Sequence, residues 1–329
     1  VDKDFGLSEL MRAQVRARIQ AETTNVTPEA SWTDRLAYLD RGLLSALQLA
    51  AALPRERRYD AVIKQDFLSL LLAQSAFIRR VGTDKLSELT ADEAVRPFLA
   101  WLFGHRPALE DFLLSIAPST DADATLRLWS ELWTEKPASR EKYHRIALAC
   151  ALVFDQPVRM IDEDAYGSGD VDMKARFQYY VDADAKKGLK TDIVQMPAWE
   201  LVWVVDAPVP NSELEWARTK VSYAQRDWGK AYGSIRYRTD KISKRKSIYE
   251  KYTLDEIKCE GGTCGDQAHY AATTAKANGI PAMVISGDGD LGGHAWMGYK
   301  ASSKEWNLGA GRLGASYANG GTTDPQTRQ

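Results

Sequence analysis

The sequence predicts an α+β protein in two parts: an all-helical domain over residues 1–158, and over 159–329 a domain in which a cysteine-bearing helix packs on antiparallel strands. Three observations lead there. Between residues 7 and 154 apolar side chains recur at helical spacing, as at Leu36, Leu39, Leu43, Leu44 and Leu47, with almost no strict alternation. Across 155–172 that pattern breaks at Pro157 and gives way to an acidic, glycine-containing stretch with linker composition. Beyond it, runs of aromatic and β-branched residues appear, and from 253 onward helix and strand signals alternate with turns.

Composition narrows the functional classes. At 329 residues the chain is about two domains long, taking roughly 150 residues per domain. Its 44% hydrophobic content is enough to build packed cores, which excludes a disordered or low-complexity chain. Lys and Arg (43) nearly balance Asp and Glu (45), so the net charge of -2 gives no electrostatic reason to expect nucleic acid. The basic cluster at 241–251 and the acidic one at 162–172 read as solvated faces. No apolar run reaches the ~18 residues of a membrane helix, and the longest, 43–53, is interrupted by Ser45 and Gln48 and stopped by Pro54, so no membrane insertion is expected. Three cysteines are too few for a disulfide scaffold. The first residue is Val1 rather than Met, which leaves export to a periplasm or the exterior open.

Element by element, capping patterns place helix starts at Ser31 with Asp34 and at Thr90 with Glu93, while Pro54, Pro107, Pro118 and Pro137 mark helix ends. Trp101, Trp129, Trp133 and Cys150 read as core contacts. In the second part, 177–181 and 200–206 have strand composition, with Pro208 and Pro210 closing the latter. A helix is predicted over 212–220; the aromatic and basic stretch from there to 251 has no legible pattern. Thr253 with Glu256 forms a capping box opening a helix over 254–258. The polar end, 320–329, reads as linker.

The segment from Gly261 carries the chemistry. Two glycines permit a tight bend before Cys264; a helix over 265–277 presents Ala268, Ala271, Ala272 and Ala275 on one small face and stops at Asn278–Gly279. A strand over 282–286, a glycine-rich stretch, a strand opened by His294 and another over 305–308 follow. A thiol at a helix N-terminus meets unpaired N–H groups and the positive end of the helix dipole, both favouring thiolate. A thiolate attacking a carbonyl needs a partner to move a proton to the leaving group, and imidazole suits that task. Cys264 and His294 are the candidate pair. Three other readings compete: a buried structural thiol, a Cys259–Cys264 disulfide, and a zinc site built from Cys259, Cys264, His269 and His294. GDGDLGG (287–293) looks like a calcium loop but lacks the bidentate Glu, and reads instead as a flexible hinge beside His294.

Together GGTCGDQA, NGIPA, GGHAW and the tryptophan-bearing strand at 305 resemble the transglutaminase-like superfamily, whose members use a Cys-His-Asp triad on a papain-like core. The resemblance spans 177–312 and is sharpest over 253–308; its combination with a helical half resembles large bacterial proteins. It implies that Cys264 matches the nucleophile and His294 the general base. The third member does not carry over, because 306–312 contains no acid. Asn307 is the side chain there able to orient an imidazole, as asparagine does in papain-like peptidases. The implied function is thiol-dependent acyl transfer or amide hydrolysis on a peptide or protein substrate through a Cys264 thioester, with no metal or organic cofactor. The alternative is a catalytically silent fold serving as a protein-binding scaffold.

Overall fold

A computed structural model describes residues 31–56, 58, 66–161, 169–244, 248–289, 292–313 and 319–329. The start of the helical pattern, residues 162–168 of the acidic linker and part of the basic cluster therefore lie outside the described residues. The chain divides into two compact units: the described residues up to Ile116 together with Ala122–Thr134, and Ala117–Asp121 together with Glu135–Gln329. Among the described residues no helix is long and apolar enough to cross a membrane.

The first unit is all-helical, as the periodicity predicts: α1 (Trp32–Ala51), α2 (Asp66–Val81), α3 (Thr83–Ala91), α4 (Arg96–Gly104), α5 (Arg106–Ser115) and α6 (Ala122–Glu135). Ser31 caps α1, its Oγ accepting from Asp34 N–H at 3.1 Å. Thr90 does not start a helix. It sits in the last turn of α3, where its hydroxyl donates to the Leu86 carbonyl (2.6 Å) and accepts from Trp32 Nε1 (2.9 Å). Pro97 and Pro107 occupy the first turns of α4 and α5, where a missing N–H costs nothing, so Pro107 opens a helix rather than ending one. The core is aromatic. Trp129 is fully buried, edge-on to Phe98 (5.2 Å) and stacked with Phe112 (6.3 Å).

The second unit contains α7 (Arg140–Val153), α8 (Met173–Ala185), α9 (Ala198–Val205), α10 (Asn211–Lys220), α11 (Lys230–Gly233), α12 (Thr239–Lys244), α13 (Leu254–Glu260) and α14 (Cys264–Ala277), followed by β1 (Ala282–Gly289), β2 (Gly292–Ser302) and β3 (Glu305–Ala310). Helix α7 precedes the boundary expected at 158, yet it packs with α8 and α9 inside this unit. The strands expected at 177–181 and 200–206 are helices α8 and α9. In α8, Phe177, Tyr180 and Val181 are buried at i, i+3, i+4 spacing, and Asp172 caps the start by accepting from Ala175 N–H at 2.7 Å. In α9, Leu201, Val202, Val204 and Val205 are buried while Trp199 and Trp203, four positions apart, lie on its more exposed stripe; helical burial, not alternation, governs this run, and β propensity yields to it.

The sheet order is β1-β2-β3, both pairs antiparallel, with Ala282 facing Tyr299 and Gly287 facing His294. The ladder continues to Gly289 opposite Gly292, so the glycine-rich segment expected as a hinge is a tight hairpin, of which 290 and 291 lie outside the described residues. Its glycines serve pairing rather than looseness. The tail expected as linker is docked: Pro325 and Gln326 are buried, and Gln326 Oε1 accepts from Ala117 N–H at 3.1 Å.

Helix α14 is buried from Asp266 to Ala277. Its five alanines let neighbours approach closely, and it packs on β1, β2, α10 and α11. Its last carbonyls are satisfied from α8: Tyr179 donates to Ala277 O (2.8 Å) and Tyr180 to Lys276 O (3.1 Å). One turn earlier on α8, Arg176 is fully buried and donates to Asn211 Oδ1 and to the carbonyls of Val205, Ala207 and Val209 at 2.6–2.9 Å. A planar fork with five donors matches that arc of acceptors. Arg176→Met is expected to cost about 3 kcal/mol or more, and Arg176→Lys to recover only part, because one ammonium cannot reach all four oxygens. Urea unfolding of both variants checks this; a loss below about 1 kcal/mol for Met contradicts it.

Candidate functional site

The bend before Cys264 needs both glycines. Gly261 has φ +79°, and a Cβ there would collide with the Arg236 carbonyl; a Cβ on Gly262 would lie 2.7 Å from Asp266 Oδ2. Gly262 is bridged to the neighbouring chain, its N–H donating to Arg236 O and its carbonyl accepting from Arg238 N–H, each at 2.9 Å. This delivers Cys264 as the first residue of α14, partly exposed, at the positive end of the helix.

Two residues on, Asp266 organises the helix start. Its carboxylate accepts from Thr263 N–H (2.6 Å), Thr263 Oγ1 (2.9 Å), Tyr252 hydroxyl (2.9 Å) and Lys241 Nζ (2.8 and 2.9 Å). Burial alone would raise the Asp266 pKa, but Lys241, the Thr263 N–H and Tyr252 together hold it below its ordinary value. The carboxylate ties down the end of the helix while Lys241 offsets a charge that would otherwise oppose a thiolate.

His294 is buried in β2, two residues from Trp296 and on the same face, their rings stacked at 5.9 Å. Both side chains reach β3 and its continuation: Trp296 Nε1 donates to Leu308 O (2.9 Å), and His294 Nε2 pairs with Gly311 O (2.8 Å). A carbonyl only accepts, so Nε2 carries the proton and Nδ1 is left as the acceptor of the neutral ring. Gly311 reaches this position through an irregular β2–β3 register between Met297 and Tyr299 and its own φ of +89°.

Tyr232 links these parts. Its hydroxyl donates to Ala295 O (2.9 Å), beside His294. A Cβ on Gly311 would sit 2.6 Å from three of its ring carbons, so the ring lies flush against the glycine that holds the imidazole. Burial first, then the neighbouring Cys264, pushes the Tyr232 pKa well up, which puts Cys264 in its electrostatic neighbourhood. Tyr232 thus lies in the electrostatic neighbourhood of Cys264 and bonds the backbone one residue after His294. Asn307 does not enter this group through its recorded bond: it is exposed on β3, and its Oδ1 accepts from Gly309 N–H at 2.9 Å.

Residues 211–307, from the start of α10 into β3, match the family model of the transglutaminase-like superfamily. The second unit carries a transglutaminase-like domain. No curated protein and no solved structure matches the chain. The matched segment of the transglutaminase-like domain includes Cys264, Tyr232 and His294 and ends at Asn307, four residues before Gly311.

All three thiols are free, with Cys259 exposed on α13, so no Cys259–Cys264 bridge forms. His269 is buried within α14, stacked on Tyr252 at 5.5 Å, and no cluster of three metal-ligating side chains occurs among the described residues. Sequence reasoning missed Tyr232, which lies in the stretch without a legible pattern, and Gly311, whose contribution is a backbone carbonyl. It also missed Asp266, Lys241 and Tyr252; Thr263 followed by Asp266 is a capping-box spacing that pointed to the first of them.

Two outcomes follow from this arrangement. Asp266 contributes stability that is present above the unfolded carboxyl value of about 3.9 and is lost as pH falls through its lower folded value. Asp266→Asn is therefore expected to cost about 2–3 kcal/mol near neutrality and to flatten the fall of the urea midpoint below about pH 4. An unchanged acid limb contradicts this. Gly311→Ala, strained at positive φ and pressed against Tyr232, is expected to cost about 1–3 kcal/mol, measured by thermal unfolding.

Proposed function

We propose that the transglutaminase-like domain is a thiol acyltransferase or amidase acting on a peptide or protein amide. The thiol proton of Cys264 passes to Nδ1 of His294, and the sulfur attacks the amide carbonyl carbon. As the C–N bond breaks, the imidazolium returns the proton to the departing amine, leaving a thioester on Cys264. Water or a second amine then attacks the thioester, losing its proton through His294 and releasing the thiol. The N–H of Cys264 is the candidate donor to the developing oxyanion. The observation that carries this reading is the His294–Gly311 bond, because it selects the imidazole tautomer that accepts at Nδ1. A carbonyl orients the ring as an asparagine or aspartate side chain would, which answers the missing acid over 306–312.

The missing acid is also what favours the second reading, a silent domain kept as a protein-binding scaffold. The three thiols supply an internal comparison between the two. Cys259 is exposed, Cys264 partly exposed and Cys150 fully buried, its pKa pushed up to about 12 by burial. If exposure alone governs reactivity, iodoacetamide at neutral pH modifies Cys259 first. An activated Cys264 reverses that order, by about tenfold or more in rate, and Cys150 stays unmodified. Peptide mapping by mass spectrometry reads the order directly. Faster modification of Cys259, or amide turnover that survives Cys264→Ala, defeats the proposal.

A further inference from the structure

The longest buried helix of the domain has a second functional face. Cys264 and Thr273 are nine positions apart on α14, which at 3.6 residues per turn places them on opposite sides. Thr273 and its neighbours His269 and Lys276 line a cavity of about 800 Å³ within the second unit, closed by β1, α9, the segment after α7 and the docked tail. None of Cys264, Tyr232 or His294 lines it. The volume is that of a small-molecule site, and the cavity is partly open to solvent.

Its walls specify a ligand. The lining cations are Arg159, Lys276 and Arg328; the lining acid is Asp206. Lys276 is paired with Asp206 at 2.6 Å, so that charge is already matched. Arg159 makes no ion pair among the described residues, and Arg328 donates to the Val153 carbonyl at 2.9 Å, with Asp155 as an electrostatic neighbour behind the wall. Among the described residues that line the cavity, cations therefore outnumber acids. Trp203 adds a flat apolar surface. His269 is 7% exposed, and its buried Nε2 has no hydrogen-bond partner. Burial holds its pKa down to about 4, so the ring is neutral at pH 7 and offers one donor and one acceptor.

We propose that this cavity binds a small carboxylate with an apolar body, its charge met by Arg159 and Arg328 and its body against Trp203. The site does not depend on the acyl-transfer reading. The test uses the full chain and N-acetylphenylalanine as probe, with N-acetylphenylalaninamide as its uncharged counterpart, by isothermal titration calorimetry and thermal shift. Saturable binding of the acid below about 1 mM is expected, with the amide at least about tenfold weaker. Arg159→Ala, at an exposed position, is expected to weaken the acid about fivefold or more and leave the amide unchanged. Prior alkylation of Cys264 is expected to leave the affinity unaltered, which separates this site from the thiol site. No binding up to about 10 mM, equal affinity for acid and amide, indifference to Arg159→Ala, or loss on alkylation overturns the proposal.

Discussion

A helix buried from Asp266 to Ala277 must have both polar ends satisfied without water, and the domain is arranged around that requirement. At the C-terminal end two adjacent tyrosines of α8 supply hydroxyls to Lys276 and Ala277, and Asn278 returns its amide to Thr274. At the N-terminal end Asp266 gathers Thr263, Tyr252 and Lys241. The helix could not sit so deep with either end unpaired, since each orphaned polar group costs about 1–3 kcal/mol. The depth of α14 also lets it pack on the sheet with one face and line a cavity with another.

Much of this was legible in the sequence, for a physical reason. Between 253 and 310 local signals agree with the fold: Thr253 and Glu256 form the capping box predicted, Gly279 ends α14 at φ +78°, and three strands follow in the expected order. Where tertiary burial overrides local preference, reading failed. Val202, Val204 and Val205 favour strands by type but are buried in α9. Thr90 has the spacing of a cap, yet its hydroxyl is spent between Leu86 and Trp32. The polar tail carries no apolar periodicity, and its docking rests on side-chain bonds from Gln326 and Arg328 to distant backbone.

At the candidate site the sequence showed the candidate pair, Cys264 and His294, and concealed the groups around them. Cysteine and histidine are rare enough here, three and four in the chain, to be noticed beside glycine and helix signals. A backbone carbonyl has no residue type, so nothing at Gly311 advertised it as the partner of His294. Where a side-chain acid was expected after Trp306, the bond that His294 makes is to main chain, at Gly311.

That substitution has a structural consequence. A carboxylate on a side chain can be repositioned by a rotamer change, but the Gly311 carbonyl moves only with the strand that precedes it. The orientation of His294 is therefore coupled to the irregular β2–β3 register, to the positive φ of Gly311 and to the Tyr232 ring packed against it. A neutral carbonyl also brings no countercharge to an imidazolium, and hydrogen bonds to charged groups are roughly twice as strong as neutral ones. Any stabilisation of a Cys264 thiolate then rests mainly on the helix end and on Lys241 screening Asp266. The same contacts that let α14 be buried would thus set the reactivity of the thiol at its tip, so stability and chemistry at this site cannot be tuned independently.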